Sequence, residues 1–274
     1  MGAKLTIVVE NTALDGRLAA EHGLSVHIST GEGDYLLDAA ATPEAVAANA
    51  DALDLDLSAL AGVVISHGHP DHTGGLAAAL AARPGIEVFA HRRAFDRRWS
   101  DRPGKPRRQI GWDTGRADIT AAGAVFKAVD PPARLPGGLV LASPAAGPQP
   151  ALDHFAAETP DGPAEDTFPD ELFVMAPGQA GWVVVTGCCH RGLPHTLSAA
   201  SRLSEGRPIR AVLGGLHLGQ APRAELEAAV AAIRAAGVSE VHPCHCTGAL
   251  GTDWLREHLG DAVRPIGGGA ELVF

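Results

Sequence analysis

One short stretch of the sequence concentrates the residues best suited to binding metal. Four potential ligands occur within six positions: His67, His69, Asp71 and His72. Imidazole nitrogens and carboxylate oxygens are ligands that divalent metals such as zinc accept. A tight loop can direct two of these residues to each side, so that two metals lie close together and hold one hydroxide. The alternative, a solvated histidine-rich turn, explains less well why four ligands are so close in sequence.

The residues around this stretch predict the elements that position it. Residues 62–65 form a short apolar run typical of a buried strand, and apolar residues resume at 76–80. Thr73 is suited to cap a helix that begins at Gly74 and continues to about residue 82. The ligands would therefore lie on the loop at the carboxyl end of a strand, where open α/β sheets bind their ligands.

Two catalytic metals need more ligands than this loop offers. Each such site uses about three protein ligands, so at least two more must come from elsewhere in the chain. Four of the remaining candidates follow predicted strands, which would bring them to one sheet edge: Cys188, His190, His217 and His245. His154 is isolated in a loop-like segment and is interpreted as a surface histidine.

The motif at 67–72 resembles the His-x-His-x-Asp-His signature of the metallo-β-lactamase superfamily. Further motifs resemble one branch of it, the metal-dependent hydrolases related to 7,8-dihydropterin-6-methyl-4-(β-D-ribofuranosyl)-aminobenzene-5'-phosphate synthase. These motifs lie at residues 10–12, 21–25, 186–192, 214–218 and 243–248. The resemblance implies an α/β fold, the four-layer αββα metallo-β-lactamase sandwich, over one domain of residues 1–274.

The resemblance also implies a ligand set for two divalent metal ions. We expect Zn²⁺, with Mn²⁺ or Fe²⁺ as alternatives. The first metal would take three histidines and the second an aspartate and two histidines: His67, His69 and His190, then Asp71, His72 and His245.

Asp38 and Cys188 take further meaning from the resemblance. Asp38 ends a predicted strand, at a position where an aspartate of the superfamily often braces the metal loop. Many members carry a metal-bridging aspartate where this chain has Cys188. A thiolate there would suit zinc, but cysteine more often acts as a small buried hydrophobe. The packing interpretation is favoured, and Cys188 is kept as an alternative metal ligand.

Other residues are candidates for catalysis or substrate binding. Asp71 is assigned a catalytic role beside its ligand role. His217 follows two glycines that allow close backbone approach, so it is predicted to orient substrate or to act as a general acid. Asn11 and His22, near the ends of the first strands, are predicted to bind substrate, with a structural role as the alternative.

Residues 91–170 differ from the rest of the chain in composition. From 91 to 116, nine basic and three acidic residues give a local charge of +6. An electropositive flap that draws in an anionic substrate, with Arg97 and Arg98 as contacts, is one interpretation. A solvated surface is the other. Residues 130–170 are rich in proline and glycine and predict a long irregular lid.

The remaining patterns predict strands and helices in two similar halves. Strands are expected at 4–9, 24–29, 35–37, 86–90, 182–185, 209–213 and 241–242. Helices are expected at 43–50, 193–203 and 223–235 and after residue 246. Residues 271–274 are expected to close the second sheet.

Composition restricts the class of protein. The 274 residues are 46% hydrophobic but only 4% aromatic, so small aliphatic side chains must fill the core. A net charge of −10 argues against nucleic-acid binding. No run of 18 apolar residues and no signal peptide are recognised, which predicts a cytoplasmic protein without membrane contact. The four cysteines lie beside candidate ligand histidines, so a disulfide framework is not expected. The oligomeric state is left open.

These observations predict a metal-dependent hydrolase. A metal-bound hydroxide would attack a small anionic ester, lactone or phosphoester. One alternative is a synthase that transfers a pterin-methyl group to an arylamine with loss of diphosphate. Another is a non-hydrolytic metal-binding sensor or a di-iron redox protein. The ligand motif alone does not separate these three.

Overall fold

The computed structural model describes residues 2–148, 150, 154–159 and 162–274. Within them lie seventeen strands. In chain order they are β1 (Lys4–Val9), β2 (Ser25–Ser29), β3 (Asp34–Leu37), β4 (Gly62–Val64), β5 (Glu87–Ala90), β6 (Arg98–Ser100), β7 (Arg108–Gln109), β8 (Val125–Ala128), β9 (Ala133–Leu135), β10 (Leu139–Ala142), β11 (Phe155–Thr159), β12 (Gly162–Glu165), β13 (Phe173–Gly178), β14 (Gly181–Thr186), β15 (Ile209–Gly215), β16 (Glu240–Cys244) and β17 (Glu271–Val273).

The α-helices of the described residues are α1 (Pro43–Ala52), α2 (Pro70–Thr73), α3 (Leu76–Ala82), α4 (Arg116–Ala121), α5 (Leu193–Leu203), α6 (Arg223–Ala235) and α7 (Gly248–Leu259). The predicted bounds of β1, α5 and α6 are confirmed. Thr73 does not cap a helix, because it already belongs to α2 and its hydroxyl donates to the His69 carbonyl at 3.0 Å. The helical segment is interrupted between α2 and α3. At this point the backbone passes close to a neighbouring loop, because a Cβ at Gly75 would lie 2.1 Å from the Ala39 carbonyl oxygen.

Two large sheets carry the fold. The first has seven strands in the order β17-β1-β2-β3-β4-β5-β8, and the second has six in the order β16-β15-β14-β13-β10-β9. The expectation that residues 271–274 close the second sheet is wrong, because β17 pairs antiparallel with β1 of the first sheet. A short terminal strand shows no signal of its partner in its own sequence, since either exposed sheet edge can accept it.

Alternation along the strands divides the buried side chains into three layers. Leu37 and Val64 face the second sheet, while their neighbours Leu36 and Val63 face α1 and α3. In the second sheet, Val183 and Val185 face the first sheet, and other side chains pack against α5, α6 and α7. The result is helix, sheet, sheet and helix, which confirms the αββα sandwich. The assignment of residues 1–274 to one domain stays a prediction.

A third, small sheet replaces much of the predicted lid. Its four strands are ordered β12-β11-β6-β7, so that segments more than 50 residues apart in the sequence pair with each other. β9 and β10, also within the predicted lid, belong to the second large sheet. The prediction of an irregular segment at 130–170 is therefore wrong where β9, β10, β11 and β12 lie. Residues 149, 151–153 and 160–161 of that prediction lie outside the described ranges.

Parallel pairing sets the position of the functional loops. β3, β4 and β5 run parallel in the first sheet, and β14, β15 and β16 run parallel in the second. Side chains that follow these strands therefore meet at the carboxyl edge of the sandwich. Among the described residues, no helix has the length and apolar character needed to cross a membrane.

Candidate metal centre

The ligand-rich loop begins where β4 ends. The β-branched residues before it are fully buried between the second sheet and the helix layer, which fixes the start of the loop. His67, His69 and His72 are buried, whereas the side chain of Asp71 keeps 19% of its surface exposed. Proline at the first position of α2 favours the turn that brings His72 back toward the other two histidines.

Three further histidines come from the second sheet. His190, His217 and His245 follow β14, β15 and β16, as predicted from the sequence. His217 and His245 have φ values of 52° and 51°, in the left-handed region that costs free energy for residues other than glycine. Such backbone persists only where the surrounding contacts hold it, and it is often found at functional sites.

His67, His69 and His190 form one group of ligand atoms. Their ring nitrogens all lie within 4.8 Å of one another. The Nε2 atoms of His67 and His190 are 3.2 Å apart, and the Phe168 ring stacks on His190 at 4.1 Å with an angle of 6°. Phe168 is fully buried and therefore fixes the plane of the His190 ring. The structure brings together the three residues that the sequence assigned to the first metal.

Asp71, His72 and His245 form a second group beside the first. Asp71 Oδ2 lies 3.7 Å from His72 Nε2 and 3.5 Å from His245 Nε2. His22 joins the exposed side of this group, with its Nε2 3.3 Å from Asp71 Oδ2 and its ring stacked on His245 at 5.1 Å. The predicted ligands of the second metal are therefore also close together, with the exposed His22 beside them.

Asp38 fixes the proton positions in the metal loop. Its carboxylate accepts hydrogen bonds from the Ser66 amide and the Ser66 hydroxyl, both at 2.7 Å, and from His72 Nδ1 at 2.6 Å. The Ser66 hydroxyl donates to Asp38, so it accepts from His67 Nδ1 at 2.8 Å. With their Nδ1 atoms donating to Ser66 and Asp38, His67 and His72 turn their Nε2 atoms toward the cluster. The predicted bracing role of Asp38 agrees with this geometry, whereas Ser66 was missed.

Asn11 plays the corresponding role for His245. Its Oδ1 accepts from His245 Nδ1 at 3.0 Å, which leaves His245 Nε2 free to face Asp71. The Glu10 carboxylate accepts from the His245 amide at 2.6 Å. Asn11 was predicted to bind substrate, but the structure uses its side chain to orient a ligand histidine.

Burial and neighbouring charges shift the pKa values of the cluster histidines in different directions. Burial, with the neighbouring histidines, holds the pKa of His67 and His190 well below the usual value. Burial also lowers the pKa of His69 to about 3. At His72, burial opposes protonation, but Asp38 and Asp71 outweigh it and raise the pKa to about 9. Burial likewise works against ionisation of Asp71, but the nearby histidines hold its pKa below the usual value, so it is a carboxylate.

These residues fit divalent metal ions. The Nε2 atoms of His69 and His245 are buried without a hydrogen-bond partner among the described residues, and unsatisfied buried nitrogens are costly unless a ligand meets them. The Nε2 atoms of His67 and His190 face each other at 3.2 Å, and His190 Nδ1 is also buried without a partner among the described residues. Asp38 and Asp71 both favour a positive charge at His72. A metal ion bound at this position would supply that charge in place of the proton. The donor set is imidazole and carboxylate, which suits zinc and similar ions.

Buried carboxylates that the sequence analysis missed support both halves of the centre. Glu171 accepts hydrogen bonds from the amides of His190 and Arg191. Asp170 accepts from the Gly68 amide at 2.9 Å, inside the metal loop. Three acids within six residues, Asp166, Asp170 and Glu171, precede β13, and this local excess of acid in an otherwise apolar context was the available signal.

The expectation that Arg98 binds substrate is wrong. Arg98 is 1% exposed, and its guanidinium pairs with Asp166 and Asp170 at 2.6 Å each. Arg97 points the other way, as side chains alternate along a strand, and lies on the surface 3.9 Å from Glu158. The sequence shows two adjacent arginines but not the distant acids that bury one of them.

His217 lies among groups that shift its pKa in opposite directions. Burial lowers the pKa, whereas Cys246 and Glu171 outweigh burial and raise it overall; the exposed Arg102 makes a small opposing contribution. His154 is half-buried against the Phe155 ring at 4.1 Å, and the groups of ligand atoms found among the described residues do not include it.

An apolar pocket opens beside the cluster. Its volume is about 370 Å³, and its lining includes His190 and His217 from the groups of potential metal ligands. Most of the remaining wall is aliphatic, contributed by the starts of α5 and α6 and by residues 148 and 150. Arg191 adds positive charge to the lining, and its Nη2 donates to the Ala145 carbonyl at 3.2 Å. A volume of this size is enough for part of a small organic molecule.

Comparison with known families agrees with this architecture. The family model described as the metallo-beta-lactamase superfamily matches residues 20–191. Among characterised relatives, the chain is 24% identical over 267 residues to the 7,8-dihydropterin-6-methyl-4-(beta-D-ribofuranosyl)-aminobenzene-5'-phosphate synthase of Methanocaldococcus jannaschii. That match covers 93% of this chain and 90% of the relative.

Solved structures show the same fold. Tm1679, described as a metal-dependent hydrolase of the beta-lactamase superfamily, is 27% identical and has a TM-score of 0.85 over 99% of both chains. Zinc-bound PqqB from Methylobacterium extorquens is 14% identical with a TM-score of 0.57, and it covers 99% of this chain and 100% of its own. At that identity the second likeness shows the fold alone.

Proposed function

The chain belongs to the metallo-β-lactamase superfamily, whose members typically bind divalent metals, and from this premise we propose that it is a metal-dependent hydrolase. Its substrate would be a small anionic ester, lactone or phosphoester with an apolar portion. The observation that carries the proposal is the convergence of imidazole nitrogens and the Asp71 carboxylate next to an apolar pocket.

Two metal ions would divide the ligands between them. His67, His69 and His190 would hold one, and Asp71, His72 and His245 the other. Bound divalent metals would supply Lewis acidity and lower the pKa of water towards neutrality. Zinc is the ion that this donor set favours, with manganese and iron as alternatives.

Asp71 and His217 are the residues we propose to handle protons and substrate. Asp71 is ionised and partly exposed, so its carboxylate is able to orient a water molecule and accept its proton. His217 lies between the cluster and the pocket, with its ring 4.3 Å from that of His190. From there its imidazole would donate a proton to the leaving group as the scissile bond breaks.

The pocket suggests which part of the substrate binds where. The aliphatic wall excludes water from an apolar substituent, which favours binding in proportion to the apolar area buried. Arg191, next to His190 in the lining, and the exposed Arg102 would attract the negative charge, although the lining also contains Glu225. His22, which is largely exposed beside Asp71, would contact the substrate from the opposite side.

A substrate screen tests the proposal. Protein loaded separately with Zn²⁺, Mn²⁺ or Fe²⁺ would be assayed against lactones, carboxylic esters, phosphodiesters and phosphomonoesters. We expect metal-dependent hydrolysis of one class, faster for members with an apolar substituent. Asp71→Ala should lose it, and the surface variant Asp51→Ala should keep it. Metal-loaded protein that hydrolyses none of these classes would contradict the proposal.

A synthase is the second candidate, favoured by the similarity to the Methanocaldococcus jannaschii enzyme across 93% of this chain. In that case an arylamine, rather than water, would reach the electrophile, and diphosphate would leave. The cluster would serve either reaction, because both need the leaving group and the electrophile to be polarised.

Isotope labelling separates the two reactions. A pterin-methyl diphosphate would be incubated with metal-loaded protein and an arylamine in ¹⁸O-labelled water. Hydrolysis places the label in the product alcohol or phosphate, whereas transfer gives a carbon–nitrogen bond and unlabelled pterin product. We expect no carbon–nitrogen product, and its formation at an enzymatic rate would decide for the synthase.

A further inference from the structure

The four cysteines fall into two pairs with different surroundings. Cys189 packs in the core between the second sheet and its helices, with its Sγ 3.3 Å from the Thr196 hydroxyl. Cys244 packs in the core between the sheets. Cys188 and Cys246 belong to neither of these apolar clusters, and all four are free thiols. Each core cysteine has a neighbour one or two positions away in the sequence that does not share its surroundings: Cys189 follows Cys188, and Cys244 precedes Cys246.

Cys188 lies at the junction of the two histidine groups. Its Sγ is 3.2 Å from His72 Nε2. This sulfur also belongs to three groups of potential ligand atoms, and the atoms within each group all lie within 4.8 Å of one another. The other members are His67 and His72 in the first group, His190 and His217 in the second, and His245 and Cys246 in the third. The sulfur is therefore close to ligands proposed for both metals.

Close backbone approach explains how the thiol reaches this position. A Cβ at Gly187 would lie 2.1 Å from the Ser66 hydroxyl oxygen and 2.7 Å from Asp38 Oδ2. Only glycine therefore allows the loop after β14 to contact the bracing groups of the metal loop. Since Cys188 is the next residue, its side chain enters the space between the two ligand groups.

We propose that the Cys188 thiolate is a metal ligand shared by both metal positions. The inference rests on the metal binding proposed above. On coordination, the sulfur–metal bond forms as the thiol proton is released to solvent. The earlier interpretation of Cys188 as a packing residue does not describe its surroundings, because nitrogen atoms rather than aliphatic side chains surround its sulfur.

Cys246 has a different role, as a positioning residue behind Cys188. Its Sγ accepts a hydrogen bond from the His217 amide at 3.3 Å and lies 3.4 Å from the Cys188 carbonyl oxygen. These backbone contacts hold the loops after β14 and β15 together. A thiolate at Cys188 also makes the centre softer than an all-nitrogen and oxygen site, which favours Zn²⁺ or Co²⁺ over Mn²⁺ or Mg²⁺.

X-ray absorption of the zinc-loaded wild-type protein tests for the sulfur ligand without any substitution. We expect a sulfur scatterer at about 2.3 Å in addition to nitrogen and oxygen at shorter distance. Bound zinc surrounded by nitrogen and oxygen alone would overturn this inference and leave the proposed hydrolase standing. Failure of the protein to bind zinc would instead contradict the proposed function itself.

Cobalt-substituted variants identify which cysteine supplies the sulfur. Wild-type protein with Co²⁺ should show a near-ultraviolet thiolate-to-cobalt charge-transfer band. Cys188→Ser should lose this band, and Cys246→Ser and the two core controls, Cys189→Ser and Cys244→Ser, should keep it. A band that persists in Cys188→Ser, or that only Cys246→Ser removes, would overturn the inference. Circular dichroism checks folding. If Cys188→Ser does not fold, the other three variants decide: a band retained in all of them assigns the sulfur to Cys188, and its loss in Cys246→Ser overturns the inference.

Discussion

The first sheet contributes four candidate ligands from one loop of seven residues, 66–72, whereas the second sheet contributes its candidate ligands from loops that follow three different strands. The supporting carboxylates differ as well. In the first half, Asp38 reaches the imidazole of His72 directly and that of His67 through Ser66. In the second half, Glu171 and Glu10 accept backbone amides of His190 and His245.

This difference separates two tasks that a metal centre must perform. A carboxylate bonded to an imidazole fixes which nitrogen is free to bind metal and raises its basicity. A carboxylate bonded to a ligand's backbone fixes where that residue lies but leaves its ring proton to another group. The carboxylates beside the loop at 66–72, the local half of the centre, therefore fix the ring protons of its histidines. Those beside the three loops of the second sheet, the dispersed half, fix the backbone positions of its histidines. Asn11 is the exception, because it orients the His245 ring.

The largest expected effect comes from removing the carboxylate that both metal function and proton transfer need. Asp71→Ala should lower kcat by about 10²–10⁴-fold, because a positioned general base contributes that much. The variant should stay folded, since the side chain is partly exposed. Steady-state kinetics on the substrate found in the screen, with Asp51→Ala as the surface control, measures this. Near-normal kcat in Asp71→Ala would exclude the loop from the chemistry.

The next effect tests how the metal loop is supported from the small sheet. Arg98→Ala should destabilise the protein by about 3–5 kcal/mol, because it leaves the buried Asp166 and Asp170 carboxylates unpaired. The neighbouring Arg97→Ala should change stability by less than about 1 kcal/mol, because its ion pair is exposed. Urea unfolding of both variants gives the difference. Equal stability of the two variants would contradict a stabilising role for the ion pairs of Arg98 with Asp166 and Asp170.

Metal affinity distinguishes the two ways of fixing a histidine tautomer. Asp38→Asn should weaken metal binding by about 10–100-fold, as loss of a partner behind a ligand histidine typically does. Asn11→Ala should have a smaller effect, because a neutral amide bonds less strongly than a carboxylate. Competition with a chelator measures both affinities. A larger loss in Asn11→Ala than in Asp38→Asn would reverse the proposed division between the halves.

The smallest effect concerns attraction of the substrate. Arg102→Ala should raise KM for an anionic substrate by about two- to fivefold, the size expected for an exposed charge, with little change in kcat. The effect should shrink at high salt, because ions screen exposed charges. Arg97→Ala, whose side chain is exposed and pairs with Glu158, is the control. The same KM in the wild type and Arg102→Ala at low ionic strength would assign Arg102 to a solvated surface.

The sequence predicted the local half of the centre better than the dispersed half. The metal loop lies within seven residues, and the strand before it has the buried, β-branched pattern that such loops follow, so its position and ligands are evident from spacing. The sandwich was also predictable, because the order of strand, histidine-bearing loop and helix recurs along the chain. His190 and His245 were identified because each follows a strand and matches a motif.

Long-range pairing explains what the sequence did not reveal. The burial of Arg98 depends on Asp166 and Asp170, about 70 residues away. The small sheet joins short strands that lie in or beside proline- and glycine-rich segments, and β17 pairs with the strand at the opposite end of the chain. Cys188 was interpreted as a packing residue because cysteine is more often a small buried hydrophobe. The sequence does not show that the loop after β14 places its sulfur beside His72.

The central claim is that two metals are held across the two halves, one by His67, His69 and His190 and the other by Asp71, His72 and His245. Metal content of purified, folded protein tests it most directly. Wild type should hold two equivalents of Zn²⁺, and His190→Ala and His245→Ala should each lose about one, because a catalytic site needs about three protein ligands. Two equivalents retained in both variants, or no metal in the wild type, would contradict it.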